Sequence, residues 1–152
     1  MKFPFLFLIG GLLFIAISFW LYQTHSYQTL PKMKQCTLVF DNHITLNAVP
    51  LAETLSQQKK GLSGKKNVRQ GMLFTFPHPQ RVAFWMNDTL IPLSIGFFDV
   101  KGLLIGIENM EPNTEKVYFS VGDAKDALEL PKGQFEEMGL KLGNQILQRN
   151  CH

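Results

Sequence analysis

Hydrophobic positions in this chain follow two different rules, and the change falls near residue 35. Residues 3–22 form an unbroken run without a charged side chain. About 20 such residues are what a helix needs to cross a bilayer core. Lys2 precedes the run, and Trp20 and Tyr22 close it as interfacial anchors would. The stretch Ser18-Phe19-Trp20-Leu21-Tyr22 offers no small-x-small cleavage motif, and the run exceeds a usual signal-peptide core. The pattern predicts an uncleaved transmembrane helix over 1–22 with a cytoplasmic N-terminus; a cleaved signal peptide is the alternative. Residues 23–34 show no apolar period and read as a polar tether.

From residue 35 the period becomes two, as in half-buried strands. Thr37-Leu38-Val39-Phe40 leads to a turn at Asp41-Asn42, and then Ile44, Leu46 and Ala48 alternate with Thr45, Asn47 and Val49. Pro50 confines the end of this second strand to an edge or a bulge. Residues 53–60 read as a short helix, with Thr54 and Gln57 as a capping box, Gly61 as its left-handed stop, and Leu55 and Leu62 facing the core. Strands are predicted over 72–76, ended by Pro77-His78-Pro79, and over 82–86. The runs 93–98 and 103–107 flank Asp99-Val100-Lys101-Gly102, a hairpin signal. Short strands follow at 116–121 and 127–130, then a helix at 132–138 stopped at Gly139, and a last strand at 145–148. Many short strands with two small helices predict a β-rich α+β domain over 35–152, built as a small, partly closed β-barrel or meander sheet.

Charge adds little. The net charge is +3, and Lys59, Lys60, Lys65, Lys66 and Arg69 cluster on and after the first helix. No aromatics interleave with them, so they read as a solvated face and no nucleic-acid partner is expected. A domain tethered near a bilayer could still be drawn to anionic head groups through them. Cys36 and Cys151 bracket the domain. Outside the cytoplasm they are free to form a disulfide; the alternative is two free thiols on frayed ends. No Leu-x-x lipobox precedes Cys36, so lipidation is not expected there.

Candidate chemistry concentrates at Trp85, Met86, Asn87, Asp88 and Thr89, a polar cluster between apolar strands. Three readings fit these residue types. In a binding groove, Trp85 offers a flat apolar face while Asn87, Asp88 and Thr89 orient a small polar ligand. In a hydrolytic site, Asp88 pairs with Glu129 or Asp99 as acid and base. In a soft-metal site, Met72, Met86 and Met110 with His78 and Trp85 hold Cu(I). Against all three, Met and Trp on strands commonly fill cores, and Asp88-Thr89 can simply cap a turn. No nucleophile, base and orienting group can be assembled from motifs, so a binding or accessory module without a cofactor is expected rather than an enzyme.

The chain resembles the DUF192 (UPF0127) family. The residues that carry the resemblance are Gly61-Leu62-Ser63-Gly64-Lys65, Gly71-Met72-Leu73-Phe74-Thr75-Phe76, and the segment Phe84-Trp85-Met86-Asn87-Asp88-Thr89-Leu90-Ile91-Pro92-Leu93. It continues through Ile95-Gly96-Phe97-Phe98-Asp99, Ala127-Leu128-Glu129-Leu130-Pro131-Lys132-Gly133 and Met138-Gly139-Leu140-Lys141-Leu142-Gly143-Asn144-Gln145-Ile146. Three positions depart from the family's usual residues: Ser63 replaces Met, Asp88 replaces Asn, and Ser94 replaces Asp. A role that needs a carboxylate at position 94 therefore fails here. The resemblance implies a compact β-rich domain, often exported or anchored, and no assigned reaction. Glu129 joins the candidate ligand-binding residues because it lies in the other specific family segment. The expected partners are the lipid bilayer, through the N-terminal helix, and a small polar ligand or an envelope protein. The expected location is the inner membrane, single-pass, with the domain on the periplasmic side.

Overall fold

Period-two alternation builds the first hairpin, β1 (Gln35–Phe40) and β2 (Thr45–Ala52). Asn42 turns it: the side-chain oxygen accepts the Ile44 N–H at 3.2 Å, and the amide donates to the Met138 carbonyl at 3.1 Å. The computed structural model describes residues 32–152. The apolar run 3–22 and the tether up to residue 31 lie outside the described residues. Among the described residues no helix is long and apolar enough to cross a membrane. Residues Met33–His152 form one compact unit.

Helix α1 (Leu55–Lys60) starts at the expected capping box: Thr54 Oγ1 accepts the Gln57 N–H at 3.3 Å, and Gln57 Oε1 accepts the Thr54 N–H at 3.0 Å. The helix then stops at Gly61, whose φ is +45°. Leu55, expected in the core, is 86% exposed. The helix is held to the sheet by Gln58, whose amide donates to the Thr75 carbonyl at 2.7 Å, and apolar burial falls on Leu62 instead.

Strand β3 (Met72–Gln80) runs on through Pro77-His78-Pro79, where the sequence pattern predicts its end. Its pairing with β8 (Ala124–Pro131) lapses between Thr75 and Gln80, so the prolines occupy positions where no ladder N–H is required. Lys125 Nζ donates to the Phe76 carbonyl and, at 3.2 Å, to that of Pro77. Strands β4 (Ala83–Phe84) and β7 (Tyr118–Phe119) pair as a separate two-stranded ribbon. Strands β5 (Leu93–Phe98) and β6 (Leu104–Met110) make the expected hairpin, with Asp99 Oδ1 accepting the N–H groups of Lys101 and Leu103 at 2.8 and 2.9 Å. Helix α2 (Gln134–Glu137) is a single turn, and β9 (Ile146–Cys151) closes the chain.

The seven-stranded sheet has the order β6-β5-β8-β3-β2-β1-β9, and only the β2/β3 pair is parallel. Pro50, expected at an edge or a bulge, lies in an interior strand directly after a bulge, where the β1/β2 register slips between the pairs Cys36/Val49 and Leu38/Leu46 and Ala48 takes a φ of +56°. The Leu51 N–H turns to β1, donating to the Lys34 carbonyl at 2.8 Å. The missing N–H of Pro50 therefore falls on the β3 side, one residue before pairing with β3 begins at Leu51.

The sheet curls into a half-barrel. At one end its two outer strands meet: Leu103 bridges Gln145, and the Ile146 N–H donates to the Gly102 carbonyl at 2.9 Å. Across the concave side, Arg149 on β9 reaches Asp126 on β8 at 2.6 Å. Cys36, Leu38, Phe40, Leu73, Phe98, Leu104, Leu128 and Leu130 fill that side with Phe135 of α2. Met72, Phe74, Leu93, Ile95, Phe97 and Ala127, from the opposite face, pack with Leu62, Val68, Val82, Met86 and Tyr118 beneath the ribbon and the basic loop. Both faces being covered, every residue of β5 is buried.

Cys36 and Cys151 face each other in the β1/β9 register and form a disulfide. The next pair, Gln35 and His152, exchanges both backbone hydrogen bonds at 3.0 Å, so the cysteines occupy the adjacent, more closely spaced pair of the ladder. The bond closes a loop with a sequence separation of 115, worth about 4–5 kcal/mol in the chain-entropy model. Replacing both cysteines with Ser should lower the unfolding free energy by about 3–5 kcal/mol. Urea titrations of the two proteins test this, and unchanged midpoints would contradict it.

Candidate functional site

The ribbon determines which side chains of the central segment meet solvent. Ala83 pairs with Phe119 and Phe84 with Tyr118. Alternation then turns Phe84 and Met86 inward and Trp85 outward. Phe84 stacks edge-on against Phe74 at 4.9 Å and packs against Phe97 at 6.1 Å, while Met86 is fully buried. Trp85 is 57% exposed, and the register carried one residue further sets it opposite Val117, beside Phe119, both also exposed.

After Met86 the chain makes a tight turn. The Thr89 N–H donates to the Met86 carbonyl at 3.1 Å, and Asp88 adopts a left-handed φ of +53°. The Asp88 carbonyl accepts the Gly64 N–H at 2.8 Å and so ties the turn to the basic loop. Asp is one of the few non-glycine residues that tolerate this φ, which explains the residue type locally.

A cleft of about 390 Å³ opens between α1, the ribbon and the outer face of the sheet. Trp85, Asn87 and Thr89 line it, with Glu129 in its wall. Met86 and Asp88 are not brought there: Met86 belongs to the core under the ribbon, and Asp88 is exposed on the turn. The structure adds residues that sequence reasoning did not assign to the site. Lys59 and Lys60, which the sequence pattern assigns to a solvated face, line the cleft together with Arg81. Position alone signals Arg81, which directly follows the Pro77-His78-Pro79-Gln80 stretch ahead of the ribbon strand.

Glu129 is the unusual group. It lies mid-β8, opposite Met72 on β3 and Ile95 on β5, and only 4% of its surface is exposed. No hydrogen-bond donor among the described residues reaches its carboxyl. Burial pushes that carboxyl up to about 8, so at neutral pH it is mostly a neutral acid. Its backbone is equally constrained. A Cβ at Gly71 would sit 1.9 Å from the Glu129 carbonyl oxygen, and Gly71 has a φ of +64°. Only glycine lets the basic loop enter β3 at this point.

Neither acid–base pair expected of a hydrolase is assembled in the cleft. Asp88 is outside it, and Asp99 is engaged in the β5/β6 turn. Met72, Met86 and Met110 are buried in one apolar cluster, while Trp85 and His78 are exposed, so the proposed copper ligands pack as core and surface. Among the described residues no group of three His, Cys, Asp or Glu side chains could hold a metal ion.

A half-barrel with a helix-and-ribbon cover over one face defines a small β-rich domain with a single acid buried beneath its cleft. Residues 38–148 match the DUF192 family model, described as "Uncharacterized ACR", and the chain belongs to that family. A crystal structure of a protein of unknown function from Novosphingobium aromaticivorans is similar, with 27% identity and a TM-score of 0.67 over 75% of this chain and 84% of that one. A Sinorhizobium meliloti protein, provisionally described as a transcription regulator, shares 28% identity and a TM-score of 0.67 over 78% of this chain and 92% of its own. No curated protein matches the sequence.

The raised carboxyl gives a stability test. The unfolded Glu129 ionises near its ordinary value of 4.5, and the folded one near 8. Below the lower value both states hold the proton, and this contribution to stability is complete. Between the two the unfolded chain releases a proton that the folded chain keeps, so stability is lost as pH rises through the folded value. Glu129→Gln cannot ionise and should escape that loss, overtaking the wild type by on the order of 3–5 kcal/mol at alkaline pH. Unfolding free energies compared at acid and alkaline pH decide it; a difference that stays constant with pH would show that Glu129 is not a buried acid.

Proposed function

We propose that this is a ligand-binding module of the cell envelope, tethered to the membrane by residues 3–22, with its domain on the extracytoplasmic side and its ligand taken up in the Trp85 cleft. One observation carries the binding reading: a largely exposed tryptophan stands over a cleft whose wall holds a buried carboxyl without a hydrogen-bond donor. Holding an acid this deeply in the wall costs free energy, and a partner entering the cleft would offset that cost. The cleft volume falls within the range of small-molecule sites, and Asn87 and Thr89 add polar groups that can orient an occupant. The Cys36–Cys151 disulfide supports an oxidising compartment. The length and flanks of the apolar run support the tether.

Ligand-detected NMR of the full chain with a library of small soluble metabolites tests the cleft. Hits should be lost in Trp85→Ala and kept in Asp88→Asn, which alters a turn residue outside the cleft. The Trp85→Ala change should cost less than about 1 kcal/mol of stability, since the ring is largely exposed. A cost of several kcal/mol would mark a core tryptophan, and hits indifferent to Trp85→Ala would sink the cleft as the site.

A further inference from the structure

The ionisable residues lining the cleft are Lys59, Lys60, Arg81 and Glu129. Among the described residues, no carboxylate lies within ion-pairing distance of any of the three cations. The other nearby charges are engaged elsewhere. Asp126, on the same strand as Glu129, pairs with Arg149, and Lys125 is bound to the carbonyls of Phe76 and Pro77. The strands flanking Glu129 present Met72 and Ile95 to it, and the ribbon turn contributes Trp85, Asn87 and Thr89 to the cleft, none of them charged. The cleft is therefore electropositive at its rim and carries a lone acid in its wall.

Those two features stand on different elements: Lys59 and Lys60 end α1, Arg81 precedes the ribbon strand, and Glu129 lies buried mid-β8, with no ion pair joining them among the described residues. Burial is the cause of the raised Glu129 carboxyl, with no lowering contribution from a cation. A ligand that uses both features must span the distance between them. At neutral pH the acid form of Glu129 donates a hydrogen bond, so the deep end of the ligand must accept one. The rim calls for negative charge, and Trp85 for a flat apolar body between the two ends.

Resting on the cleft reading above, we propose that the ligand is a small, flat organic anion: its carboxylate or phosphate lies among Lys59, Lys60 and Arg81, and a carbonyl or similar acceptor at its far end receives the Glu129 proton in a hydrogen bond. Binding is then linked to protonation. Raising the pH removes the donor and sets a negative charge against the acceptor, so affinity falls as pH rises through the Glu129 value.

The probe is 4-acetylbenzoate, which carries a carboxylate and a ketone at opposite ends of a ring and keeps one charge across the range tested. Its binding to the full chain is followed by fluorescence, with Trp85→Phe as the blank for Trp20. Affinity should exceed that of neutral 4-acetylbenzamide by about tenfold and should fall about tenfold between about pH 7 and about pH 9, because one unit above a value of about 8 leaves roughly a tenth of the acid protonated. Glu129→Gln, whose amide still donates, should bind with no such pH dependence. Arg81→Ala and Lys60→Ala should each weaken binding about three- to tenfold. The analogue 4-ethylbenzoate, lacking the acceptor, should bind more weakly and without pH dependence. Equal affinity for the acid and the amide overturns the anion assignment while leaving the cleft reading intact. A pH dependence that survives in Glu129→Gln overturns the role of Glu129. No response to 4-acetylbenzoate overturns the proposal, whereas the cleft itself is judged by the metabolite screen. Quenching by vesicles rich in phosphatidylglycerol, with none by the soluble anion, would assign the rim to a lipid head group and overturn the small-molecule form.

Discussion

Strand β8 is hydrogen-bonded along both edges and covered on both faces, and most of the domain is arranged by that constraint. Its neighbours β3 and β5 take the two ladders. The half-barrel interior takes one set of alternating side chains, and the ribbon with the basic loop takes the other. A side chain on such a strand has no route to bulk water except through a gap in its cover. The cleft at Glu129 is such a gap, and its walls are the parts of the cover that do not meet. Gly71 shows how tightly the cover fits elsewhere, since the loop touches the Glu129 backbone where any Cβ would collide.

Much of this was legible in the sequence because it rests on local rules. The capping box at Thr54 and Gln57, the Asp99 hairpin and the largely apolar run from Leu93 to Phe98 need only neighbours along the chain. What escaped were consequences of pairing partners. Pro50 follows a bulge, as expected, but in an interior strand, because pairing passes from one neighbour to the next beside it. Pro77 and Pro79 are tolerated because β8 does not pair there. Leu55 lies on the cleft lip because Gln58, not an apolar contact, holds the helix. The site divides in the same way. Trp85 faces out and Met86 in by simple alternation, once the ribbon exists, but the ribbon joins residues more than thirty apart and no local signal announces it. Arg81 entered the cleft for the same reason. The curl that brings Arg149 to Asp126 likewise depends on long-range closure.

The open edges of the half-barrel are managed covalently and by short contacts. Strand β9 exposes most of its side chains and pairs along one edge only with β1. Apolar burial can contribute little to such a strand, because only Ile146 of it packs against the interior core. The disulfide, the Leu103–Gln145 bridge and the Arg149–Asp126 ion pair act instead, at its two ends and its middle. A charged, cross-linked edge is also a poor template for adding a further strand.

Two acids on β8 show which chemistry belongs to the fold and which is left over. Asp126 aligns with Phe98 and Thr75 and shares the face of Leu128 and Leu130, inside the half-barrel. There Arg149 meets it, and its charge serves to draw the far edge of the sheet inward. Glu129, three residues on, falls on the opposite face, where neighbouring strands offer only Met72 and Ile95. With no cation close by, the same low-dielectric burial that rewards a paired acid drives an unpaired one to keep its proton. An alanine or leucine at 129 would fill that face without the desolvation cost, and the strand would pair equally well. Nothing in the packing of β8 requires a carboxyl at this point, so its presence at a gap in the cover supports the proposed use by something that enters the cleft.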